Sequence, residues 1–167
     1  MNAAHESSES FVVRKALAAD AGGIPDCLRS AFEPYRADYT PDGFSDTILS
    51  PATIRSRFRE MTLFVALTPE REVIGTIGCN IVGGGEGHLR GMAVRPDHQG
   101  SGVAQRLLLA VETELRGQGC TKVTLDTTEV LKRARRFYER NGYRVSGVVR
   151  DFFGMPLFEY VKVLPRL

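Results

Sequence analysis

The chain has no apolar run near the roughly 18 residues that a membrane-spanning helix needs, so no span is expected. Residues 1–10 are polar, carry two acidic side chains and have no apolar centre. That pattern excludes a signal peptide and predicts a disordered leader. Cysteine is scarce: Cys27, Cys79 and Cys120 are odd in number and far apart. They suit buried thiols in a reducing cytoplasm better than a disulfide framework. The three histidines, His5, His88 and His98, form no ligand-spaced pair with a cysteine, so no structural zinc or other metal is expected. An excess of one charge is missing too. Twenty-two basic residues face 20 acidic ones, and a net charge of +2 is too small to argue for a nucleic-acid partner. There is no internal repeat, no linker and no Gly-Lys-Ser/Thr sequence that would end a Walker phosphate loop.

What is there is an ordinary globular composition, 43% hydrophobic and 25% charged in 167 residues. It predicts one domain over residues 11–167 with enough bulk to bury a core. Phe11–Lys15 reads as a first strand, and Asp20 as the N-cap of a helix running to about Phe32. From Glu33 to Pro51 prolines, aromatics and acids alternate without a period, which predicts an irregular segment. A helix over Ala52–Glu60 follows. Leu63–Leu67, Val73–Val82 and His88–Val94 then read as an antiparallel meander. Gly75 and Gly78 interrupt its middle strand, which suggests a bulge or close packing. Gly83–Gly87 reads as a flexible turn.

The stretch from Leu89 to Leu115 organises the rest. Met92, Ala93 and Val94 end a strand that Pro96 stops, and Gln99-Gly100-Ser101-Gly102-Val103-Ala104 leads into a helix with Val103, Leu107, Leu108, Val111 and Leu115 at helical spacing. Glycines at the mouth of a helix allow close backbone approach, and the free N–H groups there suit a phosphate or pyrophosphate. A tight strand-to-helix turn with no ligand has the same local composition. The dinucleotide fingerprint G-x-G-x-x-G begins at Gly100 and Gly102, and Asp126 lies near the expected ribose contact, but Gln105 replaces the third glycine. Beyond the helix, Lys122–Thr127 is a strand that must run parallel, or nearly so, to the one before the loop. Leu131–Arg140 is a last helix, and Tyr143–Val149 with Leu157–Val163 forms a final hairpin whose edge can pair two copies into a homodimer. The expected fold is mixed α/β.

Gln99–Ala104 fits Q/R-x-x-G-x-G/A, and Ala134–Tyr143 fits A-x-x-[LF]-Y-x-x-x-G-[FY]. Together and in this order, the two motifs resemble the GCN5-related N-acetyltransferase (GNAT) family. The resemblance implies a central, mostly antiparallel sheet with one splayed parallel strand pair and flanking helices. Its co-substrate would be acetyl-CoA, with the backbone of Met92, Ala93 and Val94 against the pantetheine arm. The loop Gln99, Gly100, Ser101, Gly102, Val103 and Ala104 would hold the pyrophosphate, Gln99 standing where arginine is common. Many members carry an asparagine at the position of Leu131, so Thr127 or Thr128 is expected to replace that contact. Tyr138 takes the place of the general acid that protonates the leaving thiolate.

A lysine-like amine, with a pKa near 10.4, is neutral in only about one part in a few thousand at neutral pH, so a base is useful. His88 stands where a glutamate is common in the resembling family, and alternation puts it on the same strand face as Arg90 and Met92. Glu86 is the other candidate, acting through water. In similar proteins the segment between the first two helices borders the acceptor, which makes Glu33, Tyr35 and Tyr39 substrate-binding candidates. Glu33, Asp38, Asp42 and Asp46 would suit a basic peptide, but Arg36 offsets them, and a small-molecule amine is favoured. Neither motif contains a cysteine, so direct attack in a ternary complex is expected over an acetyl-enzyme. The rival readings are a non-catalytic acyl-CoA sensor and, from the glycine pair, a nucleotide-binding oxidoreductase.

Overall fold

Along Thr62–Leu67 successive side chains go to opposite faces. Phe64 and Ala66 join one apolar cluster, and Leu63, Val65 and Leu67 join another. A strand buried on both sides needs helices on both sides. The computed structural model describes residues 10–166, so the leader expected over 1–10 lies, apart from Ser10, outside the described residues. Seven strands form one sheet: β1 (Val12–Lys15), β2 (Thr62–Leu67), β3 (Val73–Gly83), β4 (Glu86–Val94), β5 (Lys122–Thr127), β6 (Arg144–Phe152) and β7 (Met155–Val163). Their spatial order is β1-β2-β3-β4-β5-β7-β6, and every neighbouring pair is antiparallel except β4–β5. Helices α1 (Gly23–Phe32) and α3 (Pro51–Glu60) cover one face, with α2 (Pro41–Ile48) against α1. Helices α4 (Val103–Gly117) and α5 (Lys132–Arg140) supply Val103, Leu107, Val111 and Tyr138 to the other. This is the mixed α/β fold that the motifs imply, with a mostly antiparallel sheet and one parallel pair.

Four local expectations change. Asp20 caps no long helix. It ends a single 3-10 turn, where its carboxylate accepts the Leu17 N–H at 2.7 Å and binds Arg14 at 2.7 Å. The segment after Glu33 is not irregular, because a 3-10 stretch over Glu33–Asp38 leads into α2. Thr40 caps α2 by accepting the Gly43 N–H, and Pro41 sits at its first position, where no hydrogen bond is lost. β4 begins at Glu86, two residues earlier than predicted, so the glycine turn is shorter.

The fourth change matters most for the site. Thr76 pairs with Ala93 and Gly78 with Arg90, so the single residue Ile77 faces both Gly91 and Met92. This bulge puts Gly91 at φ +69°, in the left-handed region that glycine tolerates. The extra residue inverts the alternation. Arg90 points toward α2, whereas Met92 and Val94 pack on the α4 face and Ala93 on the α1 face. Met92 therefore does not share a face with His88. Gly75 and Gly78 lie within β3 at the bulge and the close packing that they suggest, the register shifting between Thr76 and Gly78. A Cβ at Gly75 would sit 2.7 Å from Val103 Cγ1, so this glycine admits α4 close to the sheet.

Candidate active site

β4 and β5 are registered over only four pairs, from Glu86↔Lys122 to Leu89↔Leu125. Beyond them β4 stays on β3 as far as Val94, and β5 stays on β7 as far as Thr127. The two parallel strands thus part at the Gly91 bulge. A cavity of about 740 Å³ fills the gap and reaches both faces of the sheet.

On the α4 face the gap leads to the glycine loop. After a 3-10 turn at Pro96–His98, Gly100 and Gly102 take φ values of +82° and +86°, and Gly102 is the N-cap of α4. A glycine cap has no side chain to offer, so the first-turn N–H groups are left for a ligand. Gln99 donates to Val94 O at 3.1 Å and accepts from Arg133 Nη1 at 3.0 Å. The loop's missing arginine is thus matched by a guanidinium from α5. Ser101 Oγ donates to His98 O, tightening the turn, and Val103 is fully buried in the core; neither lines the cavity. Met92, Ala93, Val94, Gln99, Gly100, Gly102, Ala104 and Thr127 all do.

Three buried side-chain polar atoms lack a hydrogen-bond partner among the described residues: Asn80 Oδ1, Thr127 Oγ1 and Thr128 Oγ1. All three residues line this one cavity. A buried polar atom without a partner costs on the order of 1–3 kcal/mol, so their convergence fits a place where a ligand supplies the partners. Burial raises the Tyr39 phenol pKa, opposed by the nearby Thr128 hydroxyl; that contact falls outside hydrogen-bond geometry, and Thr128 stays an orphan.

Tyr138, on α5, lies at the cavity wall and is 5% exposed. Its ring meets those of Phe137 and Tyr143 edge-on, at 5.5 and 5.7 Å. Behind it Tyr143 donates to the buried Glu112 carboxylate at 2.9 Å, and Lys162 binds both carboxylate oxygens at 3.0 Å. The ring is therefore held from the back, away from the gap. Burial raises the Tyr138 phenol above its ordinary pKa, so it keeps its proton throughout the physiological range.

On the opposite face His88 sits at the cavity wall, its Nδ1 2.9 Å from Thr124 Oγ1. The Thr124 hydroxyl also lies 3.5 Å from Gly87 O, the outer limit for a hydrogen bond, and it serves His88 Nδ1 as donor or as acceptor according to the imidazole tautomer. His88 Nε2 lies 3.8 Å from Asp126 Oδ2. Burial, reinforced by Arg150 and Arg90 and opposed by Asp126 and Glu159, lowers the imidazole pKa below its ordinary value near 6.5. The ring is neutral at pH 7. Tyr35 and Tyr39 also line the cavity. Glu86 and Glu33 do not: Glu86 is held by Lys122 at 2.8 Å, and Glu33 by Arg36 at 2.8 Å on the surface. Asn80, Arg57, Arg90 and Arg133 line it as well. None of these four falls in a motif; they reach the site through the sheet register and the helix packing.

Among the described residues, no group of three or more His, Cys, Asp or Glu side chains is arranged to hold a metal ion, and no helix is long and apolar enough to cross a membrane. The fold is similar to the PaiA N-acetyltransferase of Thermoplasma acidophilum, solved with coenzyme A, at a TM-score of 0.78 and 20% identity, covering 93% of this chain and 99% of that one. It is also similar to an acetyltransferase of the GNAT family from Staphylococcus aureus, at a TM-score of 0.75 and 17% identity, covering 93% and 100%. A ribosomal-protein alanine N-acetyltransferase of Escherichia coli matches at 0.73 and 17% identity, covering 95% and 96%. A family model described as "Acetyltransferase (GNAT) family" matches residues 25–143, from α1 through both motifs and the strand gap between them. The chain belongs to the GNAT acetyltransferase family.

Proposed function

We propose that this protein is an N-acetyltransferase that moves an acetyl group from acetyl-CoA to a primary amine by direct attack in a ternary complex. The observation that carries this reading is the β4–β5 gap, with a protonated phenol on one face and a neutral imidazole on the other. Acetyl-CoA would supply the activated thioester. The backbone of Met92, Ala93 and Val94 would bind its arm in the manner of an added strand, and Thr127 or Thr128 would satisfy a polar group of the arm with a now unpaired hydroxyl. The N–H groups from Gly100 through Ala104 would hold the pyrophosphate, with Arg133 adding the charge that Gln99 lacks.

His88 takes the amine proton at Nε2, directly or through a water, and Asp126 stabilises the imidazolium that forms. Tyr138 gives its proton to the departing sulfur. Dry surroundings raise the basicity of a thiolate as they raise that of the phenolate, so the pair stays matched. Glu86, tied to Lys122 away from the cavity, reaches the amine only through a chain of waters; His88 is the better base. Tyr35 and Tyr39 would flank the acceptor, a small molecule or a peptide end, whereas Glu33 would meet only its outer part.

The enzyme would work in the cytoplasm. This agrees with three buried free thiols, of which burial pushes Cys27 up to about 12 and Cys79 to about 11. Edge strand β6, which exposes Val145, Val148 and Val149, offers a homodimer contact that light scattering would detect.

Calorimetric titration with acetyl-CoA, with NADH as control, tests the reading first. Micromolar binding of acetyl-CoA alone, followed by CoA release with an amine, is the expected result. Binding without turnover on any amine would leave a sensor module. Binding of NADH alone would leave the nucleotide-binding reading.

A further inference from the structure

Among the described residues, the arginines on the α1–α3 side of the cavity are held in ion pairs, with one exception, and the carboxylates of Glu60 and Asp151 also line it. Arg90 binds Asp46 at 2.6 Å, and Arg150 binds Asp126 at 2.9 Å and Glu159 at 2.7 Å. Arg57 does not pair. It projects from α3 into the same cavity and is 8% exposed, yet among the described residues its side chain makes no hydrogen bond and no ion pair. The charges of Arg90, Asp46 and Glu60 act on it, and the first of these repels it. Burial, with Arg90, brings the guanidinium pKa down to about 10, so it is still charged at neutral pH. An unpaired charge held out of water is costly. Such a charge persists where a ligand brings the counter-charge.

The position narrows the ligand. Arg57 Nη1 would lie 3.4 Å from a Cβ at Gly91, the bulge residue immediately before Met92. The guanidinium is therefore about one strand residue, roughly 3.3 Å of rise, from the backbone that the acyl donor would meet. A single fork-shaped monocation matches a planar monoanion with two oxygens. A phosphate dianion would need a second cation, and the neighbouring arginines are already neutralised.

Resting on the acetyl-transfer reading, we propose that the acceptor is an amine that also carries a carboxylate a few bonds away, an amino acid in the chemical sense, and that Arg57 binds that carboxylate. Asn80, with its orphaned carbonyl oxygen in the same cavity, is available to accept from the substrate as well.

The experiment compares matched acceptors: the common amino acids, their carboxamides and their decarboxylated amines, each with acetyl-CoA and a thiol assay for released CoA. At least one amino acid should exceed its own amide by tenfold or more in kcat/KM. Arg57→Gln should raise KM for that acid roughly ten- to hundredfold and erase its advantage over the amide. Its affinity for acetyl-CoA should not change, and Arg57→Lys should recover part of the preference. Because the wild-type charge is unpaired, Arg57→Gln should also unfold in urea at the wild-type midpoint or above it. Amides or simple amines that match the acids in the wild type would overturn the assignment, as would a panel in which no carboxylate-bearing amine is turned over. A marked fall in the Arg57→Gln midpoint would overturn it too, by making the residue structural. Failure to bind acetyl-CoA at all would instead sink the transfer reading, so the two failures are distinct.

Discussion

The two faces of the sheet solve different problems. On the α4–α5 face, Val103, Leu107, Leu108, Val111 and Leu115 are buried in one apolar cluster, and even the polar group behind Tyr138 is a closed Tyr143–Glu112–Lys162 set. On the α1–α3 face, the same cavity is walled by Arg57, Arg90, Asp46 and His88, charged or titratable groups borne on three separate elements. Every GNAT enzyme is expected to meet the same donor, so one side can be rigid and shaped. Acceptors differ, and on the proposed reading their side is written in charge.

The comparison can be broken first at Tyr138. Tyr138→Phe should lower turnover about 10²–10⁴-fold and leave acetyl-CoA affinity unchanged in calorimetry; equal activity would remove the general acid from the rigid face. Next in size is the closed set behind it. Lys162→Met strands the Glu112 carboxylate, 8% exposed, beside Tyr143. A urea titration should record a loss of about 3 kcal/mol, the low end for breaking a buried pair, because Lys162 is 20% exposed. The shape requirement is tested by Gly75→Ala, whose new methyl would meet Val103 and Leu107. A loss of about 1–3 kcal/mol is expected, against almost none for Gly22→Ala, where nothing lies within 4 Å.

The titratable face is sharpened by pH. The His88 pKa is depressed by burial, so kcat/KM should be flat above about 6.5 and fall about tenfold per pH unit below the depressed value. Stability follows the same sign. The unfolded ring binds its proton near 6.5 and the folded ring only lower, so the contribution is present above 6.5 and is lost as the pH falls through the folded value. A pH–rate profile of His88→Gln without that break would assign it. The smallest effect belongs to the loop: Arg133→Gln should weaken acetyl-CoA about two- to fivefold, with the difference shrinking in salt.

The rigid face was also the readable one. The last crossing strand lies at Lys122–Thr127 as its composition predicts, and the loop and the Tyr138 helix each follow from a run of adjacent residues. Local patterns encode local structure, and the α4–α5 face of the cavity is built from two such runs. The α1–α3 face is less legible, because its parts are distant in the chain. Thr40-Pro41 is a sound helix start, but Gly43 and the neighbouring prolines mask the period of α2. The bulge at Gly91 turns Met92 to the other face, which strict alternation cannot foresee. Arg57 reads as one more polar residue on an exposed helix until α3 is laid against β4, and Arg133 and Asn80 likewise acquire meaning only from neighbours distant in the chain.

The parting of β4 and β5 leaves the sheet joined across its middle by four residue pairs. Mechanically, it is two half-sheets on a short hinge, with a slot where further rungs would be. A molecule seated in that slot as a strand becomes part of the scaffold while it is bound. At a concentration a hundredfold above its dissociation constant it would add about 2.7 kcal/mol to the folded state. In a cell rich in acyl-CoA, the abundance of this protein would then track its supply of donor.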